Sequence, residues 1–231
     1  MTGEARSFVV AIDGPAASGK STTARAAAER LGFRYLDTGA MYRALTWKAL
    51  ASGVDPADRA ALGALAERTR FALSPGPAGD RLLVDGEDVA ERLRAPAVTR
   101  AVSLVASVPA VRRRLVGFQR ELARGGPCVV EGRDIGTVVF PDAPVKIFLR
   151  ASLEERARRR REELAGERPS VEDLAEEIRR RDAMDEGRED SPLRPAPDAI
   201  PLDTTGLTVE EVVEAIVRAV RAAAGRERPF R

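Results

Sequence analysis

The stretch that decides the fold is GPAASGKST, residues 14–22. It matches G-x-x-x-x-G-K-[ST] in full, from Gly14 through Pro15, Ala16, Ala17 and Ser18 to Gly19, Lys20 and Ser21, with Thr22 following. Its setting strengthens the match. A β-branched run, FVVAI at 8–12, leads into it, and an Ala-rich run of helix formers, KSTTARAAAERL at 20–31, leads out. Strand, glycine loop and helix together form an anion cradle. The loop backbone can wrap a phosphate with its N–H groups inward, and the helix N-terminus adds partial positive charge. Lys20 is placed to reach the β- and γ-phosphates, and Ser21 to ligate Mg²⁺. A nucleoside triphosphate with Mg²⁺ follows from these residues. The acceptor does not.

Working outward, short apolar runs alternate with helical patterns. Strands are expected at 8–12, 33–36, 128–131, 145–149 and 199–203. Helices are expected at 20–31, 40–51, 58–70, 95–106, 109–124, 152–165, 171–182 and about 208–224. Such alternation predicts an α/β fold, a three-layer P-loop architecture with a central five-stranded parallel sheet and helices on both faces. FAL at 71–73 and RLLVDG at 81–86, around SPGPAGD, interrupt the alternation as a hairpin. That region reads as an inserted substrate-side subdomain containing a small antiparallel sheet. The charged segment 153–195 reads either as a solvated helical hairpin or as a short helical lid; 183–198 shows no apolar period. One kinase-like domain results, with 1–37, 125–152 and 196–231 as core, 38–124 as the acceptor-side region and 153–195 as lid.

Composition narrows the function classes. The 231 residues include one cysteine, Cys128, so no internal disulfide can form. No apolar run approaches the ~20 residues that span a bilayer. The first residues, MTGEARSFVVAIDG, lack the layout of a signal peptide. A soluble cytoplasmic protein is expected. Histidine is absent, which excludes a histidine base or metal ligand. Lysine occurs only at Lys20, Lys48 and Lys146 among 38 basic residues, so one of three lysines stands where a phosphate loop requires it. The net charge of +2 gives no basic stripe for nucleic acid.

A switch GTPase would carry an Asn/Thr-Lys-x-Asp guanine reader, which is missing. A motor or transport ATPase would end a hydrophobic strand in a metal-binding Asp. Here CVV runs instead into Glu131-Gly132-Arg133-Asp134, a mixture better suited to an anionic organic ligand. In DTGAMYR at 37–43, Thr38 is a good N-cap and Arg43 falls in the first turns of a helix. Its guanidinium could clamp a phosphate two-pronged there.

GPAASGKST, LDTGAMYR, SLVASVPAVR at 103–112, EGRDIGTVVFPDAPVKIFL at 131–149 and RRDAMDEGR at 180–188 together resemble bacterial cytidylate kinase, in order and over about residues 8 to 220. The EGRDIGTVVFPDA stretch carries most of the specificity, since adenylate and shikimate kinases lack it. Thr38 stands where a serine is common and Glu131 where aspartate is common.

The resemblance implies transfer of the γ-phosphate of ATP to CMP or dCMP, with Mg²⁺. No segment reads as an unexplained exposed apolar stripe, so a monomer is expected, and charge and hydropathy give no reason to expect nucleic-acid or membrane partners. The resemblance also implies that Lys20 and Arg133 serve the transfer, and that Arg43 and Arg133 hold the acceptor phosphate. Ser103, Arg112 and Asp134 would read cytosine, with Arg188 at the base edge or phosphate. Asp185 and Arg181 would contact the ribose. Thr38 would lie beside the nucleotide, and Asp37 near it or near the metal. The chemistry is consistent: a carboxylate accepts from the cytosine amino group, while uracil presents a carbonyl there and leaves buried groups unpaired at roughly 1–3 kcal/mol each. Arginines within the run RARRRR at 156–161 would close over the ATP phosphates; the run offers several on different helix faces and the sequence does not fix which one, with Arg158 and Arg161 the expected ones. Two other classes remain at this stage: a P-loop kinase for another small anionic acceptor, and a nucleotide-binding module without turnover.

Overall fold

A computed structural model describes residues 8–75, 80–164 and 169–225. The tip of the expected Pro/Gly turn, the last residue of the expected 152–165 helix with the lid residues just after it, and both termini lie outside the described residues. The chain runs β1 (Val9–Asp13), α1 (Lys20–Leu31), β2 (Arg34–Asp37), α2 (Thr38–Ala51), α3 (Arg59–Arg68), β3 (Phe71–Ser74), β4 (Arg81–Val84) and β5 (Glu87–Asp88). It continues as α4 (Pro96–Ala106), α5 (Pro109–Ala123), β6 (Cys128–Gly132), β7 (Val145–Arg150), α6 (Leu153–Glu163), α7 (Val171–Glu186), β8 (Ile200–Asp203) and α8 (Val209–Ala224). A 3₁₀ turn occupies Ala90–Arg92 and a π-helical turn Ile135–Val139.

The residues fall into two compact units, one running to Leu36 and resuming at Ala123, the other Asp37–Leu122. The first holds a five-stranded sheet in the order β2-β6-β1-β7-β8. β1 is parallel to both of its neighbours, and β7 is parallel to β8. Every residue of β1 and β6 is buried, as expected of strands covered on both faces. Ala24, Ala27 and Ala28 of α1 lie against Val10, Ile12, Val129 and Ile147, and the Val212, Val213, Ile216, Val217 and Val220 face of α8 joins the same core. Small alanines let α1 approach closely and fix where its N-terminus, and hence the glycine loop, must sit. α8 starts with a capping box between Thr208 and Glu211. β1 and β6 end in register, Asp13 opposite Gly132, at the carboxyl edge of the sheet where ligands of open α/β folds bind.

The second unit packs α2, α3, α4 and α5 with a small antiparallel sheet around Leu45, Leu62, Leu65, Val84, Val89, Val105, Val111 and Leu115. That sheet has three strands, β3-β4-β5, where the sequence suggests a hairpin. Asp85 and Gly86 are both at positive φ, 51° and 89°, the signature of a primed two-residue turn, so the VDG read as a strand end turns the chain into β5. β5 is only two residues long, both exposed, too short to give an alternating pattern. α7 also runs four residues past its expected end at 182, because polar residues on its inner face, rather than apolar ones, find partners in the fold. Among the described residues, no helix is long and apolar enough to cross a membrane.

Candidate active site

The glycine loop is shaped by its surroundings as much as by its sequence. Gly14 has φ 154°, and a side chain there would collide with the carbonyl oxygen of Leu149 on β7. Only glycine lets the loop leave the sheet this close to its neighbour. Ala17 takes φ 57°, unusual for a residue with a Cβ, and its methyl packs on the small cluster of Ala157, Leu174 and Ile178 from α6 and α7. On one side of it, Ala16 is gripped at both backbone atoms: its N–H donates to Asp182 Oδ1 at 3.3 Å and its carbonyl accepts from Arg156 Nη1 at 3.3 Å. Arg156 and Asp182 are themselves a buried ion pair. On the other side, the Ser18 carbonyl accepts from Thr204 Oγ1 at 3.3 Å. Thr204 in turn accepts from Arg159, at 3.0 Å through its hydroxyl and 2.6 Å through its carbonyl. Three successive loop residues are thereby tied to α6, α7 and the turn after β8.

Lys20 lies at the first position of α1 and folds back over the loop. Its Nζ donates to the Pro15 carbonyl at 2.6 Å and to Ser18 Oγ at 3.3 Å. Burial pushes its ammonium well below the ordinary lysine range; Arg133 and Arg181 push the same way, against Glu131 and Asp13. Ser21 and Thr22 follow on the exposed side of the first helical turn.

Beside the loop stands an ion network. Arg133, just past β6, donates through Nε to Asp185 Oδ2 at 2.8 Å, and Arg188 donates to Asp185 Oδ1. Burial alone would raise the Asp185 carboxyl, but Arg133 and Arg188 outweigh it and hold it below the usual carboxylate range. The same pairing raises Arg133 against the effect of its own burial. Helix geometry explains the assembly. Ile178, Arg181, Asp182 and Asp185 are spaced at i, i+3, i+4 and i+7, one face of α7, and Arg188 follows three residues later. Asp134 is buried at the head of the π-helical turn. Glu131 accepts from the Tyr35 hydroxyl.

The structure thus brings together the loop residues with Arg133, Asp134, Arg181, Asp185 and Arg188. Asp37, Thr38, Arg43, Ser103 and Arg112 belong to the other unit. There the N-cap of α2 is Asp37, whose Oδ1 accepts from the Ala40 N–H at 2.8 Å; Thr38 is already the first helical residue, because a carboxylate caps better than the hydroxyl one position on. Arg112 is buried, donates to the Ala106 carbonyl at 3.2 Å and stands 5.4 Å over the Tyr42 ring. Ser103 is buried on α4 and Arg43 half-buried on α2.

Of the arginine run, Arg158 faces outward in ion pairs with Glu155 and Glu162, and Arg161 is exposed. The members next to the loop are Arg156 and Arg159. A Cβ on Gly19 would lie 3.5 Å from the Arg159 guanidinium. Both lie in the run that the sequence offers without choosing between its members, whereas Asp182 and Asp13 are not among the residues it singles out. A helical wheel through RARRRR offers several faces at once, so nothing local distinguishes them. Asp13 did leave a signal, a carboxylate ending a wholly apolar strand.

A family model described as "Cytidylate kinase" matches residues 10–222. A cytidylate kinase from Geobacillus kaustophilus is 58% identical over 222 residues, covering 95% of this chain and 99% of that protein. One from Mycobacterium avium is 54% identical over 216 residues, covering 92% and 95%. In three dimensions, the crystal structure of an uncharacterized protein from Eubacterium ventriosum superposes with a TM-score of 0.52 at 12% identity, over 93% of this chain and 99% of that one, and shares the fold alone.

Proposed function

The chain belongs to the cytidylate kinase family, and we propose that it transfers the γ-phosphate of ATP to the phosphate of CMP or dCMP, giving ADP and CDP or dCDP. The observation that carries this reading is a buried Lys20 and a half-buried Arg133 that act on each other electrostatically at the carboxyl edge of one parallel sheet. Phosphoryl transfer asks little covalent chemistry of a protein; it needs donor and acceptor aligned and their charges offset. The acceptor oxygen is already ionised near neutral pH, so the absence of histidine is no handicap.

In this reading Lys20 leaves the Pro15 carbonyl for the β- and γ-phosphates, whose negative charge restores its proton affinity. Arg133 turns part of its donor set from Asp185 to the acceptor phosphate, joined by Arg43. Asp134, Ser103 and Arg112 read the cytosine edge, with Arg188 beside it, and Asp185 and Arg181 hold the ribose. Thr38 and Asp37 line the nucleotide. Arg159, bordering Gly19, is better placed for the ATP phosphates than Arg158 or Arg161. The exposed Ser21 hydroxyl suits Mg²⁺, a hard cation that takes few protein oxygens and keeps water and phosphate as its other ligands. Bound there, Mg²⁺ would neutralise charge on the β- and γ-phosphates. The protein acts as a cytoplasmic monomer on free nucleotides, without nucleic-acid or membrane partners.

The test is ADP formation from Mg-ATP with CMP, dCMP, UMP, AMP, GMP and shikimate offered separately. Turnover with CMP and dCMP should stand far above the rest. ADP formed at the same rate without acceptor, or only with shikimate, overturns the assignment.

A further inference from the structure

We propose that Asp13 is a positioning residue for the acceptor nucleotide, its carboxylate fixing the backbone turn that carries Arg133 and Asp134. β1 ends in Asp13, level with Gly132 of β6. The side chain does not turn to the glycine loop that follows it. Oδ1 accepts from the Ile135 N–H at 2.8 Å and Oδ2 from the Gly136 N–H at 2.7 Å. These are the first two amides of the π-helical turn, among those a helical turn leaves without internal partners. The rest of the turn closes onto the same place: the Asp134 carbonyl accepts from Val138 at 2.9 Å and Val139 at 3.1 Å, and the Ile135 carbonyl from Phe140 at 2.7 Å. Residue 134 is therefore fixed from both directions, and Arg133 is the residue just before it.

Gly136 is part of the device. A Cβ there would lie 3.2 and 3.3 Å from the Lys146 side-chain carbons, tighter than ordinary contact, and 3.4 Å from Asp13 Oδ2, so the glycine leaves room for the turn to settle between them onto the carboxylate. The charged groups around Asp13 come from each neighbouring element. Asp134 opposes its ionisation and Lys20 favours it. Lys146 lies behind Gly136, its ammonium held by Asp198 and the Pro141 carbonyl. The charge on Lys20 depends in turn on Arg133, Glu131 and Arg181.

Burial raises the Asp13 carboxyl to about 6, even against the two amide hydrogen bonds that lower it. A protonated oxygen becomes a donor facing an N–H, and one of the two clamps is lost. Acidification should then loosen the turn and weaken acceptor binding in particular. This inference rests on the proposed reading that Arg133 and Asp134 bind the acceptor.

The experiment measures KM for CMP and for ATP across about pH 5.5 to 8 in wild type, Asp13→Asn, Gly136→Ala and Arg133→Ala. Asparagine offers one acceptor and turns an NH₂ toward the second N–H. Losing a hydrogen bond to a charged group should raise the CMP KM about 10-fold or more, with the ATP KM within about 2-fold. The ratio of variant to wild-type CMP KM should shrink below about pH 6, where wild type also loses its carboxylate. The CMP phosphate titrates alike in both proteins and cancels in that ratio. If both KM values rise together, or the ratio ignores pH, Asp13 has no positioning role. Gly136→Ala lifts the turn without touching the charge and must reproduce the CMP-selective rise, which keeps the test open should Asp13→Asn not fold. Arg133→Ala separates the two readings. If it leaves the CMP KM unchanged, the acceptor assignment falls and this inference with it; if it is CMP-selective while Asp13→Asn is not, only the role of Asp13 falls.

Discussion

Asp13 at the end of β1 and Asp185 on the inner face of α7 are both buried carboxylates in the same unit, yet their acidities move in opposite directions. Asp13 accepts two well-formed hydrogen bonds from backbone amides and is still pushed up to about 6. Asp185 is clasped by two guanidinium groups and is held down. Amide dipoles do not offset the loss of water around a charge, and two adjacent cations do. One site is poised to change charge near neutral pH; the other keeps its charge throughout the working range.

The comparison can be broken by substitution. Asp185→Ala should have the largest effect, removing the carboxylate that Arg133 and Arg188 share and costing about 3–5 kcal/mol, a fall in melting temperature on the order of 10 °C. An unchanged melting temperature would mean that the cluster adds nothing to stability. By linkage Asp185 stabilises the fold above its unfolded value of 3.8, and this contribution is lost as pH falls through the lower folded value. Asp13 has the reverse sign. Its folded form keeps a proton that the unfolded chain releases at 3.8, so its contribution is highest below 3.8 and is lost as pH rises to about 6. Across that window wild type should lose about 3 kcal/mol that Asp13→Asn does not, read from denaturant midpoints at several pH values.

Two arginines of α6 sharpen the contrast between buried and exposed charge. Arg156→Ala removes the partner of Asp182 and the donor to Ala16, and should cost about 2 kcal/mol and raise the KM for ATP by loosening the loop. Arg158→Ala, two residues on, breaks pairs with Glu155 and Glu162 that lie in water, and should leave both melting temperature and turnover unchanged within error. If Arg158 instead reaches ATP, its variant will raise the KM for ATP while Arg156→Ala acts only on stability.

Much of the fold was legible because its signals are local. An apolar strand, a glycine loop and an alanine-rich helix in immediate succession leave few other arrangements, and five apolar runs separated by helices give a parallel sheet. The third strand of the small sheet was not legible. Glu87 and Asp88 have no strand propensity, and only pairing with β4 makes them one. The helix beyond 182 was hidden for a similar reason, since 183–198 shows no apolar period and the partners of Asp182 and Asp185 come only with the fold.

The sequence by itself determined the strand, glycine loop and helix around residues 14–22, that the chain is built on a parallel sheet, and that it resembles the family to which it belongs. Tertiary structure decided which charges do which work. It set Arg156 and Arg159, out of a run of near-identical arginines, beside the glycine loop, and turned Asp13 away from the loop onto the 135–136 amides. It also set two buried aspartates to opposite acidities. The physical reason is that a charge acquires its strength from burial and from the groups facing it, and those come from α7, β8 and the π-helical turn, which are far away along the chain.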